Sequence, residues 1–155
     1  MLELRSMTQG EFDEYRPRTV ASLAAELVKA HGSKLEEARR VAERSIESFI
    51  PRGRLPAPDQ YLYTIVKERE SVGVVCFGIR SDRSVPEAFV WDLWVEPEWR
   101  KRGIAAMAMA KLEALVKELG ISCLALNVFA HNRTATHLYE QLGYVPVSTH
   151  MVKRL

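Results

Sequence analysis

Residues 87–105 read EAFVWDLWVEPEWRKRGIA. Phe89, Trp91, Leu93 and Val95 alternate with the period of a strand, and Glu96-Pro97 stops the run. A basic turn, Arg100-Lys101-Arg102, then leads through Gly103 into a long helical pattern. A strand, a turn and a helix N-terminus in this order leave peptide N–H groups unpaired beside the positive end of the helix dipole. Such a turn attracts polyanions, phosphate above all.

The kind of phosphate ligand narrows by elimination. The turn lacks the Gly-Lys-Ser/Thr ending of a triphosphate loop, and it lacks the three spaced glycines of a dinucleotide fingerprint. It has instead Arg100-x-x-Gly103-x-Ala105, whose small residues let a pyrophosphate approach the backbone. A basic turn that merely caps a helix would carry the same six residues.

Working outward, 155 residues suffice for one good core, and the sequence predicts a single domain over 1–155. The chain is 47% hydrophobic and 27% charged, as ordinary globular proteins are, and its formal charge of +2 is too small for a nucleic-acid footprint. The first dozen residues, MLELRSMTQGEF, hold no apolar run of a signal peptide, and no stretch nears a membrane span of roughly 20 residues. A cytoplasmic protein without a membrane or nucleic-acid partner is expected. Cys76 and Cys123 sit in apolar, strand-like segments and read as small buried hydrophobes. His31, His131, His137 and His150 lack metal-ligand spacing, so no metal is assigned.

Before the central stretch, Leu2–Arg5 reads as a short strand. Thr8 and Glu11 have capping-box spacing for a helix that Pro17 interrupts, and a second helical stripe runs from Thr19 to His31, closed by Gly32. Ser33 and Glu36 repeat the spacing and open a third helix that Pro51 stops. Residues 51–59, PRGRLPAPD, form a loop, a stiff connector or a moving flap. Tyr61–Lys67 and Val72–Ile79 read as an antiparallel hairpin joined by Glu68-Arg69-Glu70-Ser71. After residue 103, helical spacing runs to Leu119 with Gly120 as terminator, and Ile121–Ala130 reads as a buried strand. Asn132 caps a short helix that ends at Gly143, and Tyr144–Val147 and His150–Val152 read as closing strands. The alternation implies an α/β (α+β) fold, a mixed sheet with helices on both faces. An exposed last strand would also suit a homodimer.

Leu93-Trp94-Val95-Glu96-Pro97, the Arg100-x-x-Gly103-x-Ala105 turn and the Asn132–Tyr139 segment together resemble the GNAT superfamily, the acetyl-CoA-dependent N-acetyltransferases related to Gcn5. The resemblance covers most of residues 60–146 and is strongest over 90–145. The segment AHNRTATHLYEQLGY is similar to bacterial YycN-like acetyltransferases. The resemblance implies a mostly antiparallel sheet whose fourth strand carries a bulge and splays from the fifth, with acetyl-CoA as cosubstrate and an amine, small molecule or peptide, as acceptor. By motif, Leu93, Trp94 and Val95 would meet the pantetheine arm, and the amide of Leu93 or Trp94 would face the thioester oxygen. Arg100, Lys101, Arg102, Gly103, Ile104, Ala105 and Ala106 would form the pyrophosphate loop, with the peptide nitrogens from Lys101 onward as its donors. Asn132 would contact pantetheine, and Tyr139 would be the general acid beside the sulfur. The plain alternative for Tyr139 is packing of its helix against the sheet.

Acetyl transfer needs a neutral amine, a stabilised carbonyl oxygen and a proton for the departing thiolate. Some members carry a glutamate base five residues before the asparagine, and here that position is Asn127, whose amide cannot take a proton. Asp92 is the inward-facing carboxylate of the region, with Glu96 the weaker choice. Either Asp92 acts through water or no strong base is needed, which would favour an amine of low pKa. Trp91, Trp94 and Trp99 read as packing or as an apolar acceptor wall. No positioned Cys or Ser nucleophile is evident, so direct attack in a ternary complex is expected. A CoA-binding module without turnover, or a nucleic-acid-binding domain using Arg100–Arg102, are the competing readings.

Overall fold

Five strands lie side by side in sequence order in the computed structural model, which describes residues 1–155: β1 (Leu2–Ser6), β2 (Gln60–Lys67), β3 (Glu70–Arg80), β4 (Glu87–Val95) and β5 (Leu124–Leu126). The first four pair antiparallel, and β4 and β5 pair parallel. A parallel neighbour needs a crossover, which helix α3 (Ile104–Glu118) supplies. Helices α1 (Gln9–His31) and α2 (Leu35–Phe49) cover one face of the sheet, while α3 covers the other, with α4 (Arg133–Gln141) following β5. The mixed, mostly antiparallel sheet with helices on both faces is the predicted class.

Alternation along β3 builds both cores at once. Val74 and Cys76 join Leu62, Phe12, Ala24, Ala42 and Ile46 under α1 and α2. Val72, Val75 and Phe77 join Ile65, Ile104, Met109, Leu112 and Val116 under α3. The β2–β3 turn is tighter than its sequence suggests. Glu68 and Arg69 alone form it, at φ 53° and 70°, and Glu70 and Ser71 are paired with Lys67 and Val66. Two left-handed residues match the twist of a two-residue hairpin.

Several sequence expectations are corrected. Pro17 does not interrupt α1, which runs unbroken from Gln9 to His31 with its Thr8–Glu11 capping box in place. A helical proline costs ~3 kcal/mol, but burial of Phe12, Tyr15, Thr19, Val20 and Ala24 on either side of it holds the helix on the sheet. Lys34, not Ser33, caps α2, and no side chain bonds there. Strand pairing in 121–130 is confined to Leu124–Leu126. Residues 144–152 form no strand, and Val145, Val147 and Met151 are exposed. Alternation specifies which side chains share a face, but a strand also needs a partner edge, and none reaches this segment. No helix is long and apolar enough to cross a membrane.

Candidate active site

The turn ahead of α3 is held open by backbone conformation. Gly103 is the N-cap at φ 74° and ψ 7°, and Lys101 is also left-handed, at φ 59°. The amide of Arg100 donates to Pro97 O at 3.3 Å, and the next amide with a partner is that of Met107, donating to Gly103 O at 3.0 Å. Between them the peptide N–H groups from Lys101 to Ala106 have no partner within the chain, and no side chain caps the helix. A run of free donors at a helix N-terminus suits a diphosphate. Arg100 plays another part than the sequence suggests. Its Nε donates to Val95 O at 2.9 Å and its guanidinium covers the Trp94 ring at 4.6 Å, so its side chain fastens the strand exit. Arg102 lies over Trp99 at 5.0 Å.

The strand feeding this turn parts from its neighbour. β5 pairs only with Ala88, Phe89 and Val90, so Asp92 to Val95 keep β3 on one edge and have no strand on the other. Two features produce the gap. Cys76 lies opposite Asp92 while Phe77 lies opposite Val90, which makes Trp91 an extra, bulged residue. Gly73 then lets the end of β4 lean onto β3, since a Cβ there would lie 2.2 Å from Trp94 O. The bulge also corrects the predicted stripe: Ala88, Val90, Leu93 and Val95 face α3, whereas Trp91 and Trp94 face α1 and α2. Leu93, Trp94 and Val95 lie on the open edge, as predicted, with the carbonyl of Val95 already engaged by Arg100.

Asp92, next to the bulge, faces α1. The Tyr15 hydroxyl donates to its Oδ2, and so does Thr19 Oγ1 at 3.1 Å. Oδ1 takes no side-chain hydrogen bond and is not wholly enclosed. Burial pushes the Asp92 carboxyl above the usual carboxylate range, against the pull of Tyr15, Thr19, Arg18 and the nearby Leu93 peptide N–H. Burial, with the charges of Cys76 and Asp92, lifts the Tyr15 phenol far above 10, so Tyr15 remains a donor. The Cys76 thiol in turn donates to the Tyr15 oxygen at 3.9 Å.

Tyr139 reaches the same region from α4, and its ring meets Tyr144 edge-on at 5.7 Å. Burial first, then the charge of Asp92, pushes its phenol up to about 12. Its hydroxyl has no protein partner and is not wholly enclosed, unlike that of Tyr144, which is buried and unpaired. Asn132 spends its side-chain oxygen on the Ala135 amide at 3.1 Å, capping α4 and leaving its NH₂ group free. His131 pairs with Glu26 and thereby ties the β5–α4 loop to α1.

The surroundings of Asp92 are a packed wall. Trp91 stacks on Phe49 at 5.0 Å and donates through Nε1 to Gln60 Oε1 at 2.9 Å. Gly78 leaves room for that Gln60 amide, which would lie 2.6 Å from a Cβ there. Arg18 pairs with Glu96 at 2.7 Å and lies over Trp94 at 4.7 Å, so Glu96 is engaged in an ion pair. The three tryptophans therefore pack, the plainer of the two expectations. A shallow recess of about 400 Å³ beside Arg16, Arg40 and Glu47 shares no residue with this site.

Sequence reasoning missed Tyr15, Thr19 and Gly73. Tyr15 and Thr19 are one helical turn apart on the buried face of α1, a polar pair where apolar residues are the rule, and that was the available signal.

The profile of the Acetyltransferase (GNAT) family matches residues 18–144. The chain belongs to this family. GNAT relatives include two proteins of Bacillus subtilis (strain 168), the uncharacterized N-acetyltransferases YycN and YdgE. YycN is 33% identical over 153 residues, covering 98% of this chain and 97% of YycN, and YdgE is 31% identical with the same coverage. The crystal structure of YycN, a putative acetyltransferase, superposes with a TM-score of 0.92, covering 100% of this chain and 99% of that one. The GNAT fold extends to the aminoglycoside N-acetyltransferase AAC(6')-Iy, solved with a CoA-containing bisubstrate analogue, at 19% identity and a TM-score of 0.65 over 100% of this chain and 98% of that one. The protein is accordingly an N-acetyltransferase.

Proposed function

We propose that residues 1–155 form one N-acetyltransferase domain that acetylates a primary amine by direct attack within a ternary complex. The observation that carries this reading is the open edge of β4, with the Asp92 carboxyl and the Tyr139 hydroxyl near it and unpaired loop amides at its end. The amides of Lys101 to Ala106 hold the CoA diphosphate. Leu93, Trp94 and Val95 border the pantetheine arm with Asn132, and the amide of Leu93 or Trp94 receives the carbonyl oxygen as it gains charge. Acetyl-CoA supplies the acyl carbon. Asp92 takes a proton from the acceptor nitrogen as the C–N bond forms, directly or through one water, and Tyr139 gives its proton to the sulfur as the C–S bond breaks.

A desolvated Asp92 favours a working base over the alternative that none is needed, because a carboxyl lifted above its ordinary range holds a proton better. The two free cysteines support a reducing cytoplasm as its location. The test follows thiol release from acetyl-CoA with a peptide α-amine, a lysine side-chain amine, spermidine and neamine. Release that needs the amine and is lost in Asp92→Asn supports the reading. Tight CoA binding with no release across the panel would point to a binding module instead.

A further inference from the structure

We propose that Tyr15 and Thr19 are positioning residues for acetyl transfer: both hydroxyls hold Oδ2 of Asp92, keeping the carboxylate ionised and turning Oδ1 toward the acceptor amine. The inference rests on Asp92 being the base. Its geometric basis is the asymmetry of the carboxylate. A carboxylate buried only to fasten α1 to the sheet would be expected to share its donors between both oxygens, since each lone pair left unpaired in a dry site costs free energy. Here both side-chain donors converge on Oδ2, whereas Oδ1 takes no side-chain hydrogen bond.

The local construction fits this role. Tyr15 and Thr19 are one turn apart on α1, so a single rigid helix presents both hydroxyls to one atom. Tyr15 is itself held: its ring is buried against Phe12 at 6.2 Å, and the Cys76 thiol occupies its oxygen so that the phenol proton goes to Asp92. The groups that face Asp92 are Tyr15, Arg18 and Thr19 from α1, Cys76 from β3, Tyr139 from α4 and the Leu93 peptide of its own strand. Among the side chains, only the α1 residues favour its charged form. Removing one of their hydrogen bonds should therefore raise the Asp92 pKa.

The test has two readouts. The carboxyl of Asp92 is titrated by ¹³C NMR in the whole protein, assigned by its loss in Asp92→Asn, and kcat is measured against pH with saturating acetyl-CoA and the fastest amine of the panel above. A hydrogen bond to a charged group is worth ~1.5–3 kcal/mol, or about 1–2 pH units. Tyr15→Phe and Thr19→Val should each raise the NMR titration by about 1 unit or more and move the acid limb of kcat upward by the same amount. Thr19→Ser should restore both. An Asp92 titration unmoved in the two variants overturns the proposal. So does a titration that moves while the acid limb stays, which is the behaviour of a bond that only fastens α1. Silence of the whole panel would reject the enzymatic reading separately and the catalytic part of this proposal with it, while the NMR titration still decides whether the two hydroxyls hold Asp92 ionised.

Discussion

Replacing Gly73 by alanine should close the gap on which the proposed acyl-donor site depends. The new Cβ would sit 2.2 Å from the carbonyl oxygen of Trp94, and real contacts of this kind do not fall below 3.0 Å, so the two backbones must separate by at least about 0.8 Å. Neither partner is a flexible side chain. Val95 Cα, 3.1 Å from the same point, blocks a simple slide along the strand. Overpacking of this sort costs ~1–3 kcal/mol, and for a domain of this size each kcal/mol lowers Tm by roughly 2–4 °C. The displaced end of β4 also carries Leu93, Trp94 and Val95. Acetyl-CoA affinity should therefore fall by about tenfold, the effect of ~1.4 kcal/mol. Calorimetric titration with CoA and thermal unfolding read the two effects. Gly10→Ala is the control: it lies in the first turn of α1 with nothing within 4 Å of its Cβ, and it should bind CoA normally without losing stability. An unchanged Tm and CoA affinity in Gly73→Ala would refute the account of how the strands part.

Tyr139→Phe should lower kcat with little change in CoA affinity. With the phenol at about 12 and a thiol near ~8.5, the proton moves late, so the loss should lie near ~10²-fold, the lower end for a general acid. Gly103→Val places a β-branched residue at φ 74°, where L side chains are strained by ~1–2 kcal/mol, and isothermal titration should find CoA binding weakened by about tenfold. Glu11 is lowered to about 2 by its hydrogen bond to Arg5, then by the Thr8 backbone and hydroxyl. A depressed carboxyl stabilises the fold fully above its unfolded value of 4.5 and loses that contribution as pH falls toward about 2. With the Glu11 and Arg5 side chains 31% and 43% exposed, the contribution is discounted to ~1 kcal/mol. Urea unfolding of Glu11→Gln should show that deficit at pH 7 and a gap to the wild type that closes below pH 4.

Much of the fold was legible because it rests on local chemistry. The Thr8–Glu11 box, the β2–β3 hairpin and the apolar face of α3 are each set by residues within a few positions of one another. The open turn ahead of α3 was legible for the same reason: Gly103 and the basic residues before it announce a helix start with free amides. Pro17 and the tail misled because propensity yields to packing in one case, and because alternation names no partner in the other.

By itself, the sequence determined the β2–β3 hairpin, the mixed sheet with helices on both faces, the open turn ahead of α3 and the candidacy of Asp92 and Tyr139. Tertiary structure decided the rest: which oxygen of Asp92 is free, that Arg100 holds the strand exit, and that β4 parts from β5 after Val90. The contact that frees one oxygen of Asp92 and the parting of β4 from β5 depend on residues far apart in the chain, Tyr15 and Asp92 being 77 positions apart, and such contacts exist only once the sheet has brought its neighbours together.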